Sequence, residues 1–122
     1  MKKLKVYEYA KCSTCVKAKK FLEKNKIPFE AIGIVETPPT KTELKKMLTI
    51  LEGRGEKINK LFNTSGVLYK EMKLSTKIAD MKDAELIDLL SQHGKLIKRP
   101  FVLLENDGVV GFKEDEWKDK IL

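Results

Sequence analysis

Arginine is nearly absent from this chain: of its 25 basic residues only Arg54 and Arg99 are not lysine. Proteins that read phosphates and base edges favour the planar guanidinium fork, and these lysines are interleaved with Asp and Glu along most of the expected helices. Direct nucleic-acid binding is therefore not expected, despite a net charge of +7; such a surface draws acidic protein partners or small oxyanions as readily. Histidine occurs once, as His93, and cysteine twice, as Cys12 and Cys15. Two thiols cannot staple a disulfide scaffold, and with one distant histidine they fall short of the four ligands of a structural zinc. No metal and no cofactor is expected; His93 reads as the end of a helix, where a cation is favourable. Long apolar runs are missing as well. Nothing approaches the roughly 20 residues of a membrane-spanning helix, and Lys5 and Glu8 interrupt an N-terminus that begins like a secretory leader. A cytoplasmic, reducing setting is the expectation, where paired cysteines are catalytic or metal-binding more often than structural. Linkers, repeats and low-complexity tracts are absent, so residues 1–122 read as one domain.

What is there centres on Cys12-Ser13-Thr14-Cys15, placed where a short apolar strand gives way to a helix. The positive end of a helix favours a thiolate, the form that attacks disulfides and oxyanions. Cys15, Ala18 and Leu22 recur at helical spacing over about 13–25 with Phe21 beside them, while Lys17, Lys20 and Lys24 face away. Cys15 thus falls on the inward stripe and Cys12 ahead of the first turn, nearer solvent. The two thiols should behave unequally, although a core-packing role for Cys15 alone stays open.

The surrounding pattern predicts a fold. Leu4 and Val6 alternate with lysines as in a half-buried strand, and 27–34 reads as a second strand. Strand, helix, strand in about 30 residues is a βαβ unit with parallel strands and a right-handed crossover. After Pro38-Pro39, Thr40-Lys41-Thr42-Glu43 is a capping box for a helix with Leu44, Met47, Leu48 and Leu51 inward, stopped by Gly53 and Gly55. Short helical pieces are expected over 57–77 and an amphipathic helix over 81–93. Phe101 to Leu104 is apolar throughout, as in a strand covered on both faces. Asn106-Asp107-Gly108 signals a hairpin turn, 109–112 returns antiparallel, and a short helix closes the chain. The order is βαβ, a helical insertion over about 40–93, then ββα: an α/β, thioredoxin-like fold with a mixed four-stranded sheet, for which CxxC after the first strand is the usual companion.

Candidate supports for Cys12 are the helix end, the adjacent Lys11, whose side chain could equally point into water, and Arg99-Pro100 ahead of the double-sided strand. Proline holds the preceding residue extended, and in this order of elements it would sit beside the helix N-terminus and present Arg99 towards Cys12. A plain surface arginine is the competing reading. The Ser13 and Thr14 hydroxyls could reach the Cys12 sulfur, though most first turns carry such residues.

Five blocks, in order, extend this reading: Tyr9-Ala10-Lys11-Cys12-Ser13-Thr14-Cys15-Val16-Lys17-Ala18-Lys19-Lys20, Pro38-Pro39, Phe62-Asn63-Thr64-Ser65-Gly66, Leu96-Ile97-Lys98-Arg99-Pro100 and Val110-Gly111-Phe112-Lys113. Nearly end to end, they resemble the arsenate reductase-like family of bacterial proteins, the ArsC/Spx type. The resemblance implies a cis proline at Pro100 and a nucleophilic role for Cys12. It also implies an electron donor that is a small thiol, glutaredoxin or thioredoxin. Of the three arginines that hold the oxyanion in the family's arsenate reductases, one carries over, onto Arg99; the others fall on Asn63 and at about Phe112. Each lost charge-assisted partner removes about 1.5–3 kcal/mol, so arsenate reduction itself is not expected. Cys15 matches the CxxC of the Spx-like regulators, in which a reversible disulfide acts as a switch on a protein that binds RNA polymerase. The Asn-Thr-Ser-Gly and Val-Gly-Phe-Lys blocks are more similar to the family's uncharacterised reductase-like branch. The resulting expectation is a thiol oxidoreductase with Cys12 as nucleophile, Cys15 as resolving thiol, and Arg99, Lys11, Ser13, Thr14, Asn63 and Pro100 around them. A redox-sensing regulator is the alternative.

Overall fold

In the computed structural model residues 3–9 and 11–122 are described; Ala10, within the first of the resembling blocks, lies outside them. Strand β1 (Leu4–Glu8) leads into helix α1 (Ser13–Lys24) and strand β2 (Phe29–Gly33), which pairs parallel with β1 from Leu4↔Phe29 to Glu8↔Gly33. Then come α2 (Lys41–Gly53), a 3-10 turn (Ile58–Leu61), α3 (Val67–Glu71), α4 (Leu74–Lys77), a second 3-10 turn (Ile78–Asp80) and α5 (Asp83–Gln92). A third 3-10 turn (Gly94–Leu96) precedes β3 (Phe101–Leu103), β4 (Gly108–Val110) and α6 (Glu114–Ile121). The sheet order is β2-β1-β3-β4, with β3 antiparallel to both of its neighbours. This is the mixed four-stranded, thioredoxin-like arrangement that the pattern of elements predicts.

Period-two alternation sends neighbouring residues of each inner strand to opposite faces. Val6, Val102 and Val109 join Ala18, Phe21, Leu22 and Trp117 in one buried cluster, beneath α1 and α6. Tyr7, Phe101 and Val110 face the larger cluster, with Leu44, Met47, Leu51, Leu86 and Leu90 from α2 and α5. Strand β1 therefore differs from the half-buried strand expected. Val6, Tyr7 and Glu8 are all buried, because β1 lies inside the sheet with helices over both faces.

The capping box at α2 forms with both bonds: Glu43 N–H donates to Thr40 Oγ1 (3.2 Å), and Thr40 N–H donates to Glu43 Oε1 (3.0 Å). The hairpin differs in detail from expectation. Leu104 N–H donates to Asp107 O, so the turn spans 104–107 and Gly108 already belongs to β4. Strand β4 ends at Val110, two residues short of Phe112, because Gly111 adopts φ +75 and turns the chain away. Helix α5 runs Asp83–Gln92, and His93 caps it through its backbone N–H to the carbonyls of Leu89 and Leu90. No helix among the described residues is long and apolar enough to cross a membrane.

Candidate active site

Cys12 is the N-cap residue of α1, with extended backbone angles (φ −92, ψ 116). Its sulfur occupies the place of a capping oxygen and accepts the Cys15 backbone N–H at 3.4 Å. Helix α1 thus begins on a sulfur because its first N–H groups lack intrahelical partners and a chalcogen acceptor meets one of them. Cys15, one turn on, is fully buried, and both cysteines are free thiols. The inward stripe expected from the spacing is present: Cys15, Ala18, Phe21 and Leu22 are buried, while Lys17, Lys20 and Lys24 are exposed.

The two thiols differ electrically as well as in exposure. Burial raises the Cys12 pKa. Hydrogen bonds from Cys15 and from the backbone N–H groups of Cys15 and Thr14, with the charge of Arg99, outweigh it and hold Cys12 below the ordinary thiol value. Burial pushes Cys15 up to about 12; a hydrogen bond from the Tyr9 backbone opposes this, and the neighbouring Cys12 and Glu8 reinforce it.

Cys12 opens into a cleft of about 380 Å³ whose walls come from four separate parts of the chain. Asn63 and Ser65 arrive through a zipper between 61–63 and 96–98. Within it Phe62 bridges to Ile97, Asn63 N–H donates to Leu96 O (2.7 Å), and Lys98 N–H donates to Leu61 O (2.7 Å). That zipper delivers Lys98 and Arg99 to the same cleft. The Arg99–Pro100 peptide is cis, as the resemblance implies. The opposite wall is Gly111 and Phe112. Gly111 N–H donates to Pro100 O (2.8 Å), and its carbonyl accepts the Trp117 indole N–H (3.1 Å). Phe112 packs edge-on against Trp117, with ring centres 5.0 Å apart. Arg99 lies with its guanidinium carbon 4.8 Å from the centre of the Tyr9 ring, and its Nη1 is buried with no hydrogen-bond partner.

Of the residues expected at the site, Cys12, Thr14, Asn63 and Arg99 line this cleft. Cys15 and Pro100 are buried and are not part of its lining. Lys11 and Ser13 are exposed and outside it, because they flank the cap residue on its solvent side. Lys60, Lys113 and Glu116 line the cleft and were not singled out from the sequence. Lys60 sits in a 3-10 turn whose approach depends on the 61–63 zipper, which no periodicity announces. Among the described residues no three His, Cys, Asp or Glu side chains converge on a point where a metal ion could be held.

A sequence model of the ArsC family matches residues 7–120. The chain belongs to the ArsC family. Among its relatives is YusI of Bacillus subtilis (strain 168), 43% identical over 116 residues that span 95% of this ArsC-family chain and 96% of YusI. The global transcriptional regulator Spx of Streptococcus pneumoniae (strain ATCC BAA-255 / R6) is 32% identical over 86% of this chain and 75% of Spx. The crystal structure of an ArsC family related protein from Bacteroides fragilis superposes with a TM-score of 0.89 at 46% identity, covering 97% of each chain.

Proposed function

We propose that this ArsC-family chain is a thiol–disulfide oxidoreductase in which Cys12 is the nucleophile and Cys15 the resolving thiol. The observation that carries the reading is the inequality of the two sulfurs: Cys12 is a helix cap at a basic cleft with its pKa lowered, and Cys15 is buried with its pKa raised. Cys12 attacks one sulfur of a substrate disulfide as a thiolate, forming a mixed disulfide and releasing the other half as a thiolate. Arg99 and the N–H groups of the first turn of α1 hold the anion beforehand, and Thr14 and Asn63 line the bound substrate. Forming the mixed disulfide removes the negative charge beside Cys15, and with it one of the influences that keep the Cys15 proton in place. Cys15 then attacks the Cys12 sulfur, the bound half leaves as a thiolate, and a Cys12–Cys15 disulfide remains. A small thiol, glutaredoxin or thioredoxin in the cytoplasm returns the pair to the reduced state.

Thiol titration tests the first step. Cys12 should alkylate near neutral pH, with an apparent pKa clearly below the free value of about 8.5. An ordinary value would remove the nucleophile. The Cys15→Ser variant should accumulate a mixed disulfide on Cys12, and its failure to do so would remove Cys15 from the reaction.

Arsenate reduction is not part of this proposal. Arg99 supplies one guanidinium; Lys60, Lys98 and Lys113 add charge at the cleft but not a bidentate fork. Turnover of arsenate with glutathione and glutaredoxin, abolished in Cys12→Ser, would reverse that conclusion. The 32% identity to Spx favours a second reading, a redox-responsive regulator that docks RNA polymerase. Recovery of polymerase subunits from a bacterial lysate in only one redox state of the pair would support it; recovery in neither state would leave the enzyme reading.

A further inference from the structure

The thiol cleft does not end at its lysines. A second recess of about 310 Å³ opens beyond it, lined by Lys57, Asn59 and Thr64 among others. Lys60 and Lys98 line both hollows, so the two meet at this pair. Cys12, Asn63 and Arg99 belong to the first hollow and not to the second. The hollows therefore join into one groove, which starts at the Cys12 sulfur and leaves past Lys60 and Lys98.

The two shared lysines are not equivalent. Lys60 has a carboxylate partner, Glu56, 3.7 Å away. Lys98 makes no ion pair among the described residues, although Glu116 lines the same cleft. Its backbone is fixed by the N–H bond to Leu61 O (2.7 Å). Its stem reaches the opposite wall, where a Cβ at Gly111 would stand 3.0 Å from Lys98 Cε and 3.9 Å from Cδ. Glycine at 111, with φ +75, both makes the turn and leaves the lane that this stem occupies. Most unpaired lysines are solvated surface groups. Lys98 differs in being half-buried, packed across the groove and shared by both hollows. Such a residue buries its methylenes and presents a compact point charge to whatever enters.

A compact oxyanion at the sulfur would call for guanidinium forks converging on one point. Here the cations are spread along a groove instead, an arrangement that suits charge standing away from the reacting sulfur. We propose that the groove is a subsite for a carboxylate carried by the substrate disulfide, and that Lys98 is the specificity-determining residue that recognises it. The substrate class is a small organic disulfide whose carboxylate stands several bonds from its sulfur. This rests on the oxidoreductase reading above. The Cys12 thiolate attacks one sulfur, the substrate S–S bond breaks, and the other half departs with the electron pair as a thiolate. The half now joined to Cys12 lies along the groove. Its carboxylate, unchanged by the reaction, meets the Lys98 ammonium.

Aliphatic disulfides of different charge and length test this on the intact chain. The measured quantity is the rate at which the free Cys12 thiol is lost, for dithiodibutyrate relative to the uncharged hydroxyethyl disulfide. Wild type should favour the dicarboxylate. In Lys98→Gln that ratio should fall about 10-fold, the scale of one charge-assisted hydrogen bond at a half-buried site. Lys98→Arg should restore most of it. Lys45→Gln removes the same charge from the exposed side of α2, outside both hollows, and should leave the ratio unchanged. The shorter dithiodiglycolate, whose carboxylates stand close to the sulfurs, should depend less on Lys98. A shifted Cys12 pKa alters both rates alike and cancels in the ratio, and Trp117 fluorescence reports that each variant is folded. A wild-type ratio in Lys98→Gln, or an equal fall in Lys45→Gln, would overturn the subsite and leave the thiol chemistry standing. Failure of every disulfide to oxidise Cys12 would remove the oxidoreductase reading, and this inference with it.

Discussion

The guanidinium of Arg99 rests over the ring of Tyr9, its carbon 4.8 Å from the ring centre, while its Nη1 is buried without a partner. Stacking on an aromatic face fixes a guanidinium without consuming its N–H donors, and is worth about 0.5–2 kcal/mol. Tyr9 is thus a clamp that leaves Arg99 charge directed at the cleft. Arg99→Gln should raise the apparent pKa of Cys12 and slow its reaction with iodoacetamide at pH 7. Tyr9→Leu should shift both in the same direction by less, since the charge remains but is held loosely. Alkylation rates followed from pH 5 to 9 check both variants. A wild-type profile in Arg99→Gln would mean that the helix end alone holds the anion.

Tyr7 makes stability depend on alkaline pH. Its hydroxyl donates to Glu43 Oε1 at 2.9 Å, and burial, then the Glu43 carboxylate, hold its proton well above the usual phenol range. The unfolded chain releases that proton above about pH 10 while the folded chain keeps it, so stability falls as pH rises through that region. Tyr7→Phe should cost about 1–2 kcal/mol at pH 7, where the hydrogen bond is simply lost. The gap to wild type should then narrow by pH 10.5. Urea denaturation at the two pH values measures it, and a constant gap would contradict the assignment.

Two glycines should respond oppositely to alanine. At Gly94 a Cβ would overlap the carbonyl of Ile34 outright, backbone against backbone, where the turn after α5 crosses the end of β2. Gly94→Ala should cost about 3 kcal/mol, the upper range for overpacking. At Gly53, in the last position of α2, a Cβ would meet nothing within 4 Å. Gly53→Ala should stabilise by about 0.5 kcal/mol, through the smaller entropy of the unfolded chain. Thermal melts of the two variants, with opposite signs of shift, check the pair.

Cys15 should report the proposed order of events without any assay of substrate. Its burial and its Cys12 neighbour raise its pKa to about 12, so in the reduced protein it should resist alkylation at pH 8 while Cys12 reacts. Mass spectrometry after limiting iodoacetamide should find the label on Cys12. Equal labelling of both thiols would remove the basis for assigning them different roles.

Several features were readable because they are local. The place of Cys12 ahead of the first turn, the inward stripe of α1, the Thr40–Glu43 capping box and the hairpin signal at Asn106-Asp107-Gly108 each depend on residues within a few positions of one another. The first three match the structure, and the hairpin forms with its turn shifted to 104–107. What escaped were properties of sheet order. Leu4 and Val6 read as a half-buried alternation, but β1 lies inside the sheet with helices over both faces, so Glu8 is buried where the sequence shows only a charge interrupting an apolar segment. For Lys11 the sequence left open whether its side chain supports Cys12 or points into water, and the structure leaves it exposed. Lys60 looked like one lysine of many until the Phe62–Ile97 bridge carried it to the cleft.

The amino-acid order alone determined that a thiol would stand at the positive end of a helix behind a strand, because spacing and helix dipoles act over one or two turns. It also determined the succession of strands and helices, from periodicity and turn chemistry. Only the tertiary structure decided which charges that sulfur meets: Arg99 stacked on Tyr9, and the cleft lysines. Those pairings join residues far apart in the chain, and they exist only once strand order and register have brought four distant segments to one end of the sheet.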